Sequence, residues 1–117
     1  MVTKALTVSE KLKNKIDIEV IDPRTLVPLD IDTIINSVKK TNNVVIIQEA
    51  VRRGGIASDI QSCILEKAFN YLDSPVEIIA GENVVIPYNS ILEAESIPSE
   101  EKILATILNK YCKGVIP

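Results

Sequence analysis

Two periodicities take turns along this chain, and that alternation limits its fold more than any other feature. Three short runs read as strands: "IDIEVID" (Ile16–Asp22), "VVIIQ" (Val44–Gln48) and "VEIIA" (Val76–Ala80). In the first, Ile16, Ile18 and Val20 share one face and Asp17 and Glu19 the other, the pattern of a strand near a sheet edge with one polar side. The second is continuously apolar and β-branched, as in a strand covered on both faces. Between the runs, apolar residues recur at helical spacing. Residues 3–14 carry Ala5, Leu6, Val8 and Leu12. A helix capped by Asp30 or Asp32 carries Ile31, Ile34, Ile35 and Val38. A third, running to Tyr71, carries Ile56, Ile60, Cys63, Ile64 and Leu65. A fourth, capped by Ser99, carries Ile103, Ile107, Leu108 and Tyr111. "ILEAESIP" holds a short helical turn. The order α-β-α-β-α-β-α predicts an α/β fold with a mainly parallel sheet flanked by helices.

At 117 residues the chain predicts one domain, and aromatics at 3% leave Ile, Val and Leu to fill the core. The net charge of −3 argues against a nucleic-acid partner, which requires a basic face. The absence of histidine removes Ser-His and Cys-His nucleophile pairs, a His base and His metal ligands. Cys63 and Cys112 are far apart and form no CxxC pair, as in a reduced intracellular chain, with Cys63 expected in the core. No apolar run approaches a membrane-spanning length, so no membrane association is expected. Neither a catalytic residue nor a metal ligand set emerges from these residue types and spacings.

The segment "QEAVRRGGIASDIQ" is the one stretch that invites a ligand reading. Gly54 and Gly55 join a strand to a helix, with Arg52 and Arg53 just ahead. Backbone amides at a helix N-terminus can hold a phosphate. Yet neither GxGxxG nor the GK[ST] ending of a P-loop is present. A tight turn with the arginines at a subunit contact is the expected arrangement. Glu49 is expected to form a structural salt bridge to an arginine. Asp22, Arg24 and Asp30 flank the first strand's end, either as a contact patch or as a local ion pair and helix cap. Pro87 and Tyr88 are expected to pack in a loop. Arg24, Glu49, Arg52, Arg53, Gly54 and Gly55 are therefore the interface or anion candidates, with no cofactor-binding residue among them.

Longer stretches add a resemblance. "IDIEVIDPRTLVPLDIDTIINSVKKTNNVVIIQEA", "RRGGIASDI" and "YLDSPVEIIAGENVVIPYNSILEAESIP" carry several landmarks in order. Together they resemble the transketolase-type C-terminal domain of the β subunit of 2-oxo acid dehydrogenase first components, with the pyruvate-specific members nearest in pattern. Deoxyxylulose phosphate synthase and transketolase share the domain but match the Pro-Arg-Thr-Leu-x-Pro-Leu-Asp stretch less well. The resemblance implies a three-layer α/β/α sandwich. It implies an α subunit and a second β subunit as partners in an α2β2 tetramer, and a dihydrolipoyl acyltransferase core that takes the acyl group. It implies thiamine diphosphate and Mg in the intact enzyme, held on the β side by a preceding domain, so that this region serves association and docking. The compartment would be a bacterial cytoplasm, a mitochondrial matrix or a plastid. The family domain also begins with strands that precede the "MVTKAL" point. A gap is therefore expected between Ile16–Ile21 and Val44–Gln48, which closes up or is filled by another chain. A stand-alone association module using that incomplete sheet is the alternative.

Overall fold

The computed structural model describes residues 1–85 and 88–112. Its elements are α1 (Val2–Leu12), α2 (Ile31–Thr41), β1 (Val45–Val51), α3 (Ile56–Ala68) with a 3-10 turn at Phe69–Tyr71, β2 (Glu77–Gly81), α4 (Ser90–Ser96) and α5 (Glu100–Tyr111). Local chemistry accounts for the helix ends. The Asp30 carboxylate accepts from the Thr33 amide at 3.2 Å and from the Thr33 hydroxyl at 2.6 Å. Asn42 closes α2 in the left-handed region at φ 64°, its amide donating to the Val38 carbonyl at 2.8 Å. Ser99 accepts from the Lys102 amide at 3.1 Å, and Glu100 and Glu101 sit in the first turn of α5, where the helix dipole favours them.

Strands β1 and β2 pair in parallel, with Val45 opposite Glu77, Ile46 opposite Ile78 and Ile47 opposite Ile79. Helices cover both faces. On one, Ile34, Ile35 and Val38 of α2 meet Ile60, Ile64 and Ala68 of α3, with Val44 and Ile46 against them. On the other, Val8 and Leu12 of α1 meet Ile103 and Ile107 of α5, with Ile79, Val45 and Ile47 against them. Successive strand residues thus feed opposite cores, as the period of two requires. This is the three-layer sandwich that the resemblance implied.

Three expectations are corrected. Ile16–Asp22 is not a strand: it joins no ladder, and the sheet has two strands among the described residues. Cys63 is only half-buried, whereas Cys112 is the fully buried thiol. Tyr88 is fully exposed rather than packed, and Pro87 lies outside the described residues.

Candidate association surface

The turn between β1 and α3 is held from inside. Gly54 has φ +73°, a conformation strained for residues with a side chain. A Cβ on Gly55 would lie 2.3 Å from Gln48 Nε2 and 2.8 Å from the Val51 carbonyl oxygen. Gln48 is the buried polar side chain that makes this closeness necessary. Its Nε2 donates to the Val51 carbonyl at 2.9 Å, and its Oε1 accepts from the Ala57 amide at 2.9 Å. One carboxamide therefore ties the end of β1 to the first turn of α3 and takes an amide that an anion would need. The Gly-Gly stretch is a structural turn. Sequence reading passed over Gln48. Its one signal was a polar residue closing a continuously apolar strand, just ahead of the glycines.

The charged candidates do not converge. Arg52, Arg53 and Glu49 are exposed, and among the described residues none of them enters an ion pair. The salt bridge expected of Glu49 is thus not formed. Glu49 lies exposed on β1. Arg24 lies 3.8 Å from Asp22, with both side chains well exposed, a pair worth little in water. Asp30 is the α2 cap. Its hydrogen bonds to the Thr33 hydroxyl and amide hold its carboxyl below the usual carboxylate range.

The gap between Ile16–Ile21 and β1 is open. Among the described residues, Asp17–Ile21 makes no backbone–backbone hydrogen bond; the Ile18 carbonyl takes only a long one, 3.5 Å, from Ser9 Oγ. The segment nevertheless keeps the layering of a strand. Ile16 and Ile18 pack into the α1–α5 core, and Ile21 into the α2–α3 core. Glu19 turns toward α2 and meets Lys40 Nζ at 2.6 Å, and this bond lowers the Glu19 carboxyl and raises the Lys40 ammonium. A cavity of about 630 Å³ lies on the α1–α5 side of the gap and one of about 230 Å³ on the α2–α3 side. Glu19, Ile21, Pro23, Val45 and Ile47 wall both, so the breach runs through the sheet layer. Tyr111 stands at the larger opening, its hydroxyl donating to the Val44 carbonyl at 3.4 Å, and burial pushes its phenol upward.

A second surface was missed by sequence reading. Val84, Val85, Tyr88, Ile91 and Leu92 are all exposed, Val85 to 94%. These residues follow β2 and enter α4. Residues read as a loop and a short helical turn carry an apolar series where a solvent-facing segment is polar, and that composition was the available signal. Among the described residues no group of His, Cys, Asp and Glu could hold a metal, and no helix is long and apolar enough to cross a membrane.

A small parallel sheet lies between helical layers, with one flank open and the exposed residues Val84, Val85, Tyr88, Ile91 and Leu92 following β2. The transketolase C-terminal domain family model matches residues 1–103, and the chain belongs to that family. It is 45% identical over 109 residues to the pyruvate dehydrogenase E1 component subunit beta of Rickettsia felis, covering 92% of this chain and 33% of that protein. It is 39% identical over 108 residues to the acetoin:2,6-dichlorophenolindophenol oxidoreductase subunit beta of Bacillus subtilis, covering 92% and 32%. The mitochondrial pyruvate dehydrogenase subunit beta of Dictyostelium discoideum is 42% identical over 92 residues, covering 79% and 26%. The chain thus spans about a third or less of the length of these relatives.

Proposed function

We propose that the chain acts as the C-terminal domain of the β subunit of a thiamine-diphosphate-dependent 2-oxo acid dehydrogenase, with pyruvate the favoured substrate. Its role there is association with an α subunit and a second β subunit, and docking to the acyltransferase core, while the chemistry is done elsewhere. The observation that carries this reading is the 45% identity to a named pyruvate dehydrogenase β subunit over nearly the whole chain. The geometry is compatible with it. Arg52, Arg53 and the apolar residues Val84, Val85, Tyr88, Ile91 and Leu92 are exposed, as surfaces that meet another subunit are before assembly. The Ala57 amide at the start of α3 is bonded to Gln48 rather than left open to an anion. Bacterial cytoplasm or an organelle matrix is the proposed setting. The Bacillus subtilis relative supports an acetoin-type parent as the second reading.

The test is a chimera in which this chain replaces the matched 109-residue segment of the Rickettsia felis β subunit. Co-expressed with the α subunit of that organism, it is expected to assemble and to decarboxylate pyruvate when thiamine diphosphate is added. Double reversal of Arg52 and Arg53 to Glu is expected to weaken assembly by about tenfold or more, as for charges at an interface. A folded chimera that never associates with the α subunit would refute the reading. Turnover of acetoin in place of pyruvate would shift it to the second.

A further inference from the structure

We infer that the exposed run after β2 is a preformed docking arm for one kind of occupant. That occupant is a polypeptide surface, apolar at its centre and bearing lysine or arginine at its rim, on a subunit other than a second copy of this chain. This deepens the reading above, in which that subunit is the α subunit, and rests on it for that assignment alone.

The arm is pinned at its base and bare along its length. The Glu82 amide donates to the Ser96 carbonyl at 2.8 Å, so the chain leaves the fold and returns to the same point. Pro98, just past the base, is fully buried, and Lys4 Nζ donates to its carbonyl at 2.8 Å. Between those ends every described residue from Glu82 to Glu95 is exposed. Surface loops whose ends meet in this way are often functional. The short helix α4 belongs to this stretch. Asn89 Oδ1 caps it, accepting from the Ile91 amide at 2.9 Å and the Leu92 amide at 3.3 Å. Seven residues are too few for helical propensity to stabilise, and helices of that size are held by burying an apolar face. Before its last residue α4 buries nothing, and Ile91 and Leu92 are both exposed. No described residue covers them.

Charge decides between candidate occupants. From Glu82 to Glu101 the sequence holds five glutamates and neither lysine nor arginine. Glu82 pairs with Lys102 at 3.1 Å and Glu100 with Lys11 at 3.6 Å. Glu93 and Glu95 stand beside Ile91 and Leu92 on α4. Both are exposed, and among the described residues neither enters an ion pair. A second copy meeting this face about a two-fold axis would set these carboxylates against their own counterparts, which is unfavourable. A cationic rim neutralises them, while an apolar centre covers Val84, Val85, Tyr88, Ile91 and Leu92.

The chain has no tryptophan, so Tyr88→Trp places a single indole on the arm and makes its fluorescence the test. Two synthetic helical peptides, one of leucine and lysine and one of leucine and glutamate, are titrated into that variant. The lysine peptide is expected to shift the emission to the blue, and to bind about tenfold or more weakly at high salt than at low. The glutamate peptide is expected to leave the emission unchanged. Adding Ile91→Ser and Leu92→Ser should remove the response, and adding Glu93→Lys and Glu95→Lys should pass it to the glutamate peptide. Equal responses to the two peptides, or none to either, would overturn the inference. So would a blue shift that grows with chain concentration in the absence of peptide, which would make the occupant a second copy. The same variant in the chimera, co-expressed with the α subunit, separates the inference from the reading it deepens. Assembly with the introduced indole still in water sinks the arm and keeps the subunit reading. A chimera that does not assemble, with the peptide responses as expected, keeps the arm and sinks the α subunit as its partner.

Discussion

Ile16–Ile21 and β2 are built from the same materials and end differently. Each follows a helix, each is rich in isoleucine, and each sends alternate side chains into the two cores. β2 has β1 beside it. It forms a ladder in register, and Ile78 and Ile79 are buried. Ile16–Ile21 has the gap beside it. It forms no ladder, and its isoleucines stay half-exposed. Their α5-side and α2-side anchors are comparable too: Lys110 holds Glu77 at 3.0 Å, and Lys40 holds Glu19 at 2.6 Å. What separates the two segments is a neighbour. Strand character belongs to the pair, because propensity on its own is worth less than packing and hydrogen bonding to an adjacent strand.

Truncation on the two sides measures that difference most directly. Ile64 of α3 is fully buried in the α2–α3 core. Ile64→Ala is expected to destabilise the chain by about 2–5 kcal/mol in urea melts, the range for a buried Ile or Leu cut to Ala. Ile18→Ala, on the open flank, is expected to cost less than about 1 kcal/mol, because less apolar surface leaves water there on folding. Equal costs for the two substitutions in the chain alone would abolish the contrast between the halves.

The turn at the end of β1 is hydrogen-bonded from within by Gln48 and should show that coupling. Gln48→Ala leaves the Ala57 amide and the Val51 carbonyl without their partner, a loss of about 1–3 kcal/mol for buried polar groups. Gly55→Ala forces the same carboxamide aside, with a similar cost. Since both substitutions act on one contact, the double variant is expected to fall short of the sum by about 1 kcal/mol, read from a double-mutant cycle. Full additivity would mean that Gln48 does not brace the turn.

Much of this was legible beforehand. The cap at Ser99, the choice of Asp30 or Asp32 for α2, the stripes of α2 and α5 and the sheet gap follow from periodicity, capping chemistry and the resemblance. Other features could not be read, because they depend on contacts far apart in sequence. Nothing local to "VVIIQ" says that the strand continues to Val51, or that Gln48 reaches Ala57, nine residues on. Ile16–Asp22 has an edge strand's alternation, and no local rule records whether a neighbour is present. Leu6 fits the stripe written for α1 but is 53% exposed, since that helix meets α5 on a narrow face that takes Val8 and Leu12.

The smallest effect concerns how the open flank is moored. The Lys40 hydrogen bond holds the Glu19 carboxyl low, and the hydrogen bonds from Thr33 do the same for Asp30. A carboxyl lowered in the folded state contributes stability that is present above its unfolded value, near 4, and is lost as pH falls through the lower folded value. Lys40 is raised, so its contribution is present below its unfolded value, near 10, and is lost as pH rises past the folded one. All three groups are solvent-exposed, and salt screens exposed charges, so the acid loss should be small and should shrink at high ionic strength. Glu19→Gln removes one part of the acid dependence and most of the alkaline part that comes from Lys40, to which Asp17 adds the smaller remainder. Exchange of Asp17–Ile21 should quicken in this variant near neutral pH while β2 amides keep their rates. If β2 amides quicken equally, the mooring acts on the whole fold, and the two halves do not open independently.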